Sequence, residues 1–194
     1  SRGLGDVYKR QEQSMSNGTK VNKRNGSIEP LNLEKIHKMV ELACDGLAGV
    51  SSSQVEINSG LQFYDGISTK EIQEILIRSA SDLIDLDAPN YQYVAARLLL
   101  FSLRKQLYGV QFDHPTLFEH INKCVEQEVY DGEVLHKYTQ EEIDGLGEYL
   151  DHERDFLFTY AGLRQVTDKY LVQDRSTGAI SETCLLYTSP SPRD

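Results

Sequence analysis

The sequence predicts a mainly α protein with a small β-hairpin near its front, and three observations carry that expectation. Apolar residues recur at helical spacing over several separate stretches, residues 33–47, 72–84 and 94–103 among them. Helix-start signatures stand ahead of such stretches: Asn32, the capping box Ser68-x-x-Glu71 and a second box, Thr139-x-x-Glu142. Asn25-Gly26, set between Val21–Lys23 and Ile28–Pro30, is a strong short hairpin signal, because both residues tolerate the φ > 0 of a type I′ turn.

Taken in order, the hairpin runs straight into the first helix. Asn32 serves as N-cap, Leu33, Ile36, Val40, Ala43 and Leu47 form the apolar stripe, and Gly46 suits the C-terminal end. Residues 51–59 read as a short helix with Val55 and Ile57 inside. Tyr64-Asp65-Gly66 is a turn. The Ser68 box then opens a helix whose stripe is Ile72, Ile75, Leu76, Ala80, Leu83 and Ile84. Asp87-Ala88-Pro89 opens another, with proline early, where its missing N–H does no harm. That helix runs to Gly109, and its middle is apolar on nearly every face, as a helix buried between others must be. Beyond it, Asp113-His114-Pro115 begins a helix carrying Leu117, Phe118, Ile121, Cys124 and Val125. The Thr139 box precedes Ile143, Leu146 and Leu150. Residues 151–155 read as a solvated polar junction, Phe156, Tyr160 and Leu163 mark a further helix, and Ser176-Thr177-Gly178 signals a second hairpin.

Composition narrows the function classes. The 194 residues carry a net charge of −10, with pI near 5.0 and mean hydropathy −0.46, which suits one domain or a small domain plus part of another. A duplex nucleic-acid binder needs a basic face, so no nucleic-acid partner is expected. No run is apolar and long enough to span a membrane. The cysteines Cys44, Cys124 and Cys184 form no CxxC pair, so a zinc ribbon is not expected, and buried helical cysteines suit a reducing cytoplasm. No signal peptide is visible. His152 with Asp151, Glu153 and Asp155 is not read as a metal site, since neighbours on a helix point different ways.

Residues 1–11 and 184–194 have neither periodicity nor caps, and both resemble translations of sequencing-adapter DNA. They are set aside from the fold, Met15 is taken as the start, and the natural chain is expected to have been cut near Thr183. The expected organisation is therefore a tail over residues 1–14, a first domain over 15–109, a helical second part over 110–183 and a tail over 184–194.

One stretch holds the chemistry. Lys35 sits in a first helical turn, where the macrodipole disfavours a cation, and Lys23 and Arg24 lie just across the hairpin. A polyanion docked at the helix start accounts for all three, and a surface lysine that bends into solvent accounts for Lys35 equally simply. Thr69, in the first turn after Ser68, is placed to meet a phosphate or sugar oxygen, but by itself reads as an ordinary first-turn threonine. Lys105 suits the C-terminal dipole of its helix without any ligand.

The pattern resembles the ATP-cone, the regulatory nucleotide-binding domain at the front of many ribonucleotide reductases. The matching residues are Val21-x-Lys23-Arg24-Asn25-Gly26-Ser27-x-Glu29, Asn32-Leu33-Glu34-Lys35-Ile36, Gln62-Phe63-Tyr64-Asp65-Gly66-Ile67-x-Thr69, residues 87–98, and Leu103-Arg104-Lys105-x-x-Tyr108-Gly109. The likeness is to the large (α) chain of class Ia enzymes, and it implies a β-hairpin capped by a four-helix cone, followed by the helical start of the reductase body. It further implies ATP or dATP as allosteric effector, with magnesium beside it, bound by Lys23, Arg24, Glu29, Pro30, Leu31, Asn32, Leu33, Glu34, Lys35, Thr69 and Lys105. ATP would keep the enzyme on, and dATP would turn it off. The implied partners are the small (β) chain and a second α chain, the implied location is cytoplasmic, and no catalytic residue is expected here. Some family members carry histidine where this chain has Gln73 and Ser102. Two other classes compete. An ATP-cone transcriptional repressor would place a four-cysteine zinc ribbon before the cone. A ligand-free helical interaction module would scatter Lys23, Lys35 and Lys105 over its surface.

Overall fold

The computed structural model describes residues 18–110, 112–174 and 178–182. The two tails, Met15, Thr183 and the Ser176-Thr177 part of the second hairpin signal lie outside the described residues. The chain divides into two compact units between Leu98 and Leu99.

The first unit begins with strands β1 (Lys20–Asn22) and β2 (Ile28–Pro30), followed by helices α1 (Leu33–Cys44) and α2 (Ser52–Gly60). Strand β3 (Ile67–Ser68) leads into α3 (Thr69–Ser81), and α4 (Tyr91–Tyr108) carries the chain across the division into the second unit. The expected hairpin is present, but it is part of a three-stranded sheet of order β2-β1-β3. β1 runs antiparallel to β2, with Val21 opposite Glu29, and parallel to β3, with Val21 beside Ile67 and Asn22 beside Ser68. The expected type I′ turn is replaced. Gly26 N–H donates to Lys23 C=O at 2.9 Å, Lys23 N–H donates to Ser27 C=O at 2.8 Å, and of the loop residues only Gly26 has positive φ (81°). That is a three-residue loop, a type I turn closed by a left-handed glycine. Asn25 stays at negative φ and spends its side chain on the loop itself. Its Oδ1 accepts from Ser27 N at 3.1 Å and from Ser27 Oγ at 2.7 Å.

Helices α1–α3 begin and pack as their local chemistry dictates. Asn32 caps α1, and Gly46, at φ 69°, turns the chain out of it. Arg97 finishes the same helix end by donating to the carbonyls of Ala43 (3.2 Å) and Asp45 (2.6 Å). In α2 the inward positions are Val55 and Ser59, whereas Ile57 is exposed, contrary to expectation. The helix packs on both α1 and α3, which its Val55–Ser59 row faces. Tyr91, 2% exposed, fastens its start: the hydroxyl accepts from Ser51 N at 3.0 Å and donates to Gln54 Oε1 at 2.6 Å. In α3 the Ser68–Glu71 capping box is complete, and Ile72, Leu76 and Ala80 are buried; the helix stops at Ser81, leaving Leu83 and Ile84 beyond it. Val21, Val40, Val55, Ile67, Leu76 and Val94 are central to this unit's core.

The second unit contains the end of α4, then α5 (Leu117–Glu126), α6 (Glu133–Lys137), α7 (Gln140–Gly147), a 3-10 helix (His152–Leu157) and α8 (Tyr160–Lys169). α5 starts later than expected, at a Thr116–Glu119 capping box, and α6 is an element the periodicity did not predict. Gly147 lets α7 close on α5, since a Cβ there would lie 3.0 Å from Leu117 Cβ. Among the described residues, the arms of the second hairpin signal pair antiparallel at Gln173 with Ile180, and Asp174 N–H donates to Ala179 C=O at 2.9 Å.

The polar junction at residues 151–155 is not wholly solvated. Asp155 is 1% exposed and its Oδ2 lies 3.2 Å from Arg104 Nη2, inside the unit. His152 stacks on His114 with ring centroids 3.7 Å apart. Burial, then the nearby His114 and the Arg104 guanidinium, hold the His152 imidazole down at about 4. A base whose folded pKa lies below its unfolded value of about 6.5 contributes stability that is full above 6.5 and is lost as pH falls towards 4. Thermal melts should therefore show wild type losing more Tm than His152→Gln between pH 7 and pH 4.5. Equal losses would contradict this account.

Candidate functional site: a cation cluster at the sheet edge

The site grows from the ends of three elements in the first unit. Lys23 leaves β1, Lys35 occupies the first turn of α1, and Thr69 opens α3. The parallel register sets Asn22, just before Lys23, beside Ser68, just before Thr69. Asn32 Oδ1 accepts from Lys35 N at 2.9 Å, which fixes the start of α1 and the direction in which its backbone N–H groups point.

Glu29, on β2, is the centre of the electrostatics. Lys23 Nζ lies 2.9 Å from Glu29 Oε2. That hydrogen bond and the Lys23 charge pull the exposed Glu29 carboxyl below the usual carboxylate range, and Lys35 adds to the pull. Two ammonium groups thus act on one carboxylate beside a helix N-terminus, where the dipole also favours an anion. Arg24, on the hairpin loop, donates through Nη2 to Gln73 Oε1 at 3.3 Å, across to α3. The arrangement can hold a multiply charged anion, with charge-assisted hydrogen bonds from flexible side chains on the hairpin and α1.

Not every residue predicted for the site offers the same thing. Lys23 meets Glu29, Lys35 acts on the same carboxylate, Asn32 caps α1 through Lys35 N, Arg24 reaches Gln73 on α3, and Thr69 follows Ser68, the partner of Asn22. Pro30 and Glu34 are exposed beside them, and Leu33 is half-buried. Leu31 is a core side chain, 5% exposed, so it presents backbone only. Lys105 lies in the last turn of α4 and belongs to the second unit. Sequence reasoning missed Gln73 as a partner of Arg24. The two stand 49 positions apart, and no local pattern links them.

The second unit has a cavity of about 400 Å³, lined in part by Tyr108, His114, His120, Asp144, Glu148 and His152. It has the opposite chemistry: carboxylates, with Asp144 already accepting from Phe118 N at 3.2 Å, and a His152 that burial keeps neutral. Among the described residues, no group of three or more His, Cys, Asp or Glu is placed to hold a metal ion, and no helix is long and apolar enough to cross a membrane.

A hairpin-led sheet under helices, with cations gathered at a capped helix start, defines a class, and residues 19–106 match the family model of the ATP cone domain. Over most of its length the chain is similar to ribonucleoside-diphosphate reductase alpha subunits. It is 50% identical over 169 residues to ribonucleoside-diphosphate reductase 1 subunit alpha of Escherichia coli (strain K12), which covers 87% of this chain and 22% of that protein. It is 49% identical, over the same shares, to the subunit alpha of Haemophilus influenzae. With that of Enterobacteria phage T4 the identity is 42%, over 84% of this chain and 21% of the relative. The chain thus spans about a fifth of the length of the curated relatives it matches.

Proposed function

We propose that residues 19–106 bind ATP and dATP at one shared site, phosphates first, as the allosteric activity switch of a ribonucleoside-diphosphate reductase large chain. In this reading ATP keeps the enzyme on, and dATP in the same site turns it off by changing how α and β chains assemble. The carrying observation is the Lys23–Glu29 ion pair at 2.9 Å beside the start of α1, with the Lys35 charge acting on the same carboxylate and Arg24 next in the chain, in a protein of net charge −10. An incoming phosphate offers those cations more charge than Glu29 does. Thr69 meets a phosphate or sugar oxygen, the chain from Glu29 to Lys35 lines the nucleotide, and Lys105 is assigned to the phosphates on the resemblance alone. Magnesium accompanies the nucleotide. The partners are the small (β) chain and a second α chain, in the cytoplasm. Ribonucleotide reduction itself is assigned to none of the residues described here. Since Lys23 and Lys35 act on one carboxylate, a scattered, ligand-free surface is the weaker reading.

Calorimetric titration of the 194-residue chain tests this. ATP and dATP should compete. A charge-assisted contact contributes roughly 1.5–3 kcal/mol, so Lys23→Ala should weaken both nucleotides together by about tenfold or more. Simultaneous binding of the two, or wild-type affinity in Lys23→Ala, Lys35→Ala and Lys105→Ala alike, would show that the site lies elsewhere.

A further inference from the structure

We propose that Gln73 is a positioning residue of this site, holding the Arg24 guanidinium ready for phosphate; the inference rests on the nucleotide-binding reading above. Gln73 is 6% exposed on α3, amid the apolar positions Ile72, Leu76 and Ile77. A buried amide in such a row needs polar partners, and one of them is Arg24 Nη2, 3.3 Å from Gln73 Oε1. Arg24 is itself exposed, on the loop that Gly26 closes. A long arginine on a hairpin loop otherwise samples many rotamers, and a ligand would have to order it at binding. Tethering one guanidinium nitrogen to a buried acceptor removes part of that entropy loss in advance. The planar fork keeps further N–H donors for a phosphate oxygen. The geometry also separates two roles. Gln73 Oε1 is engaged by Arg24 and the side chain is nearly closed to solvent, so it acts on the ligand through Arg24 rather than by touching it.

The test is a double-mutant cycle on the full chain, with ATP and with inorganic tripolyphosphate as probes. Gln73→Met keeps the side-chain volume and removes the acceptor. Losing one neutral acceptor should weaken both probes by about threefold to tenfold. Arg24→Ala should weaken them at least as much, and the double variant should bind like Arg24→Ala alone. Effects that multiply would overturn the proposal. So would Gln73→Met binding like wild type, or losing ATP affinity while keeping tripolyphosphate affinity, since the glutamine would then be meeting ribose or base. Wild type that binds no nucleotide overturns the functional reading together with this one. Lys23-dependent binding with Gln73 and Arg24 uncoupled overturns this one alone. If Gln73→Met does not fold, the Arg24 Nε–Hε NMR signal of ligand-free wild type decides: restraint close to that of the backbone is expected, and the mobility of a free side chain sinks the idea.

Discussion

Arg104→Ala should destabilise the protein by about 3–5 kcal/mol, because it leaves the Asp155 carboxyl buried without its cation. The two side chains are 5% and 0% exposed and meet at 3.2 Å. Arg104 also donates to His152 C=O at 3.1 Å, and its guanidinium lies 5.4 Å from the centre of the Phe156 ring. Removing it therefore takes away a hydrogen bond and packing as well as a charge. The pH dependence has a definite sign. Burial pushes the Asp155 carboxyl up and outweighs the opposing pull of Arg104, so even in wild type its folded pKa exceeds the unfolded one. An acid shifted in that direction stabilises the fold below its unfolded pKa and loses the contribution as pH rises through the folded pKa. Without Arg104 the shift grows, so the variant should be nearest to wild type in acid and furthest from it at neutral pH. Circular-dichroism melts at pH 4.5 and 7.5 measure this, with a fall in Tm of more than about 10 °C expected at the higher pH. Replacing both partners, Arg104→Met with Asp155→Leu, should cost far less than either single change. A single variant within about 1 kcal/mol of wild type would mean the pair is not a structural anchor.

Leu76→Ala is expected to cost about 2–5 kcal/mol, the range for emptying a fully buried leucine site. Leu76 is 0% exposed, on the face of α3 that packs on α2. It also lies one turn from Gln73 and two from Thr69, so the cavity opens beneath the residues assigned to the nucleotide. The loss should be partly reversible by ligand. A nucleotide at 100 times its Kd stabilises the folded form by about 2.7 kcal/mol, whatever the starting stability. Melts of Leu76→Ala with and without saturating ATP should show a large fall in Tm followed by a partial recovery. A variant that melts like wild type would contradict the packing, and one that melts low with no recovery would contradict a ligand site supported by α3.

The features legible in the sequence are those whose partners lie within one helical turn. Asn32 and Lys35 are three residues apart, as are Ser68 and Glu71, and Thr139 and Glu142, and each pair forms the contact its spacing predicts. The same rule applies to Thr116 and Glu119, where attention to Pro115 sets the expected helix start too early. Distant partners leave no such trace. Ile67–Ser68 is two residues long and becomes a strand only by pairing with β1, more than 40 positions earlier. Asp155 reads as a surface charge until Arg104, 51 positions away, is placed beside it. Ile57 reads as a core residue because it is apolar, yet it falls off the inward row that Val55 and Ser59 define. At the candidate site, Lys23 and Lys35 stand out as charge in an unusual place. The Arg24–Gln73 contact needs the fold itself.

The division of the chain at Leu98 and Leu99 falls in mid-helix, with those residues 2% and 5% exposed. Most neighbouring domains are joined by an exposed, irregular segment. Here the joint is a run of intrahelical hydrogen bonds with buried side chains. A protease has to draw several residues into an extended form within its cleft, and an inserted sequence needs a loop tip to splay from. Neither has a foothold at this joint. Releasing the first unit as a separate piece by cutting there would also break the helix from which Tyr91 and Arg97 fasten α2 and α1. A piece that keeps α4 whole has to run down to Gly109, whose positive φ of 80° lies just past the helix end.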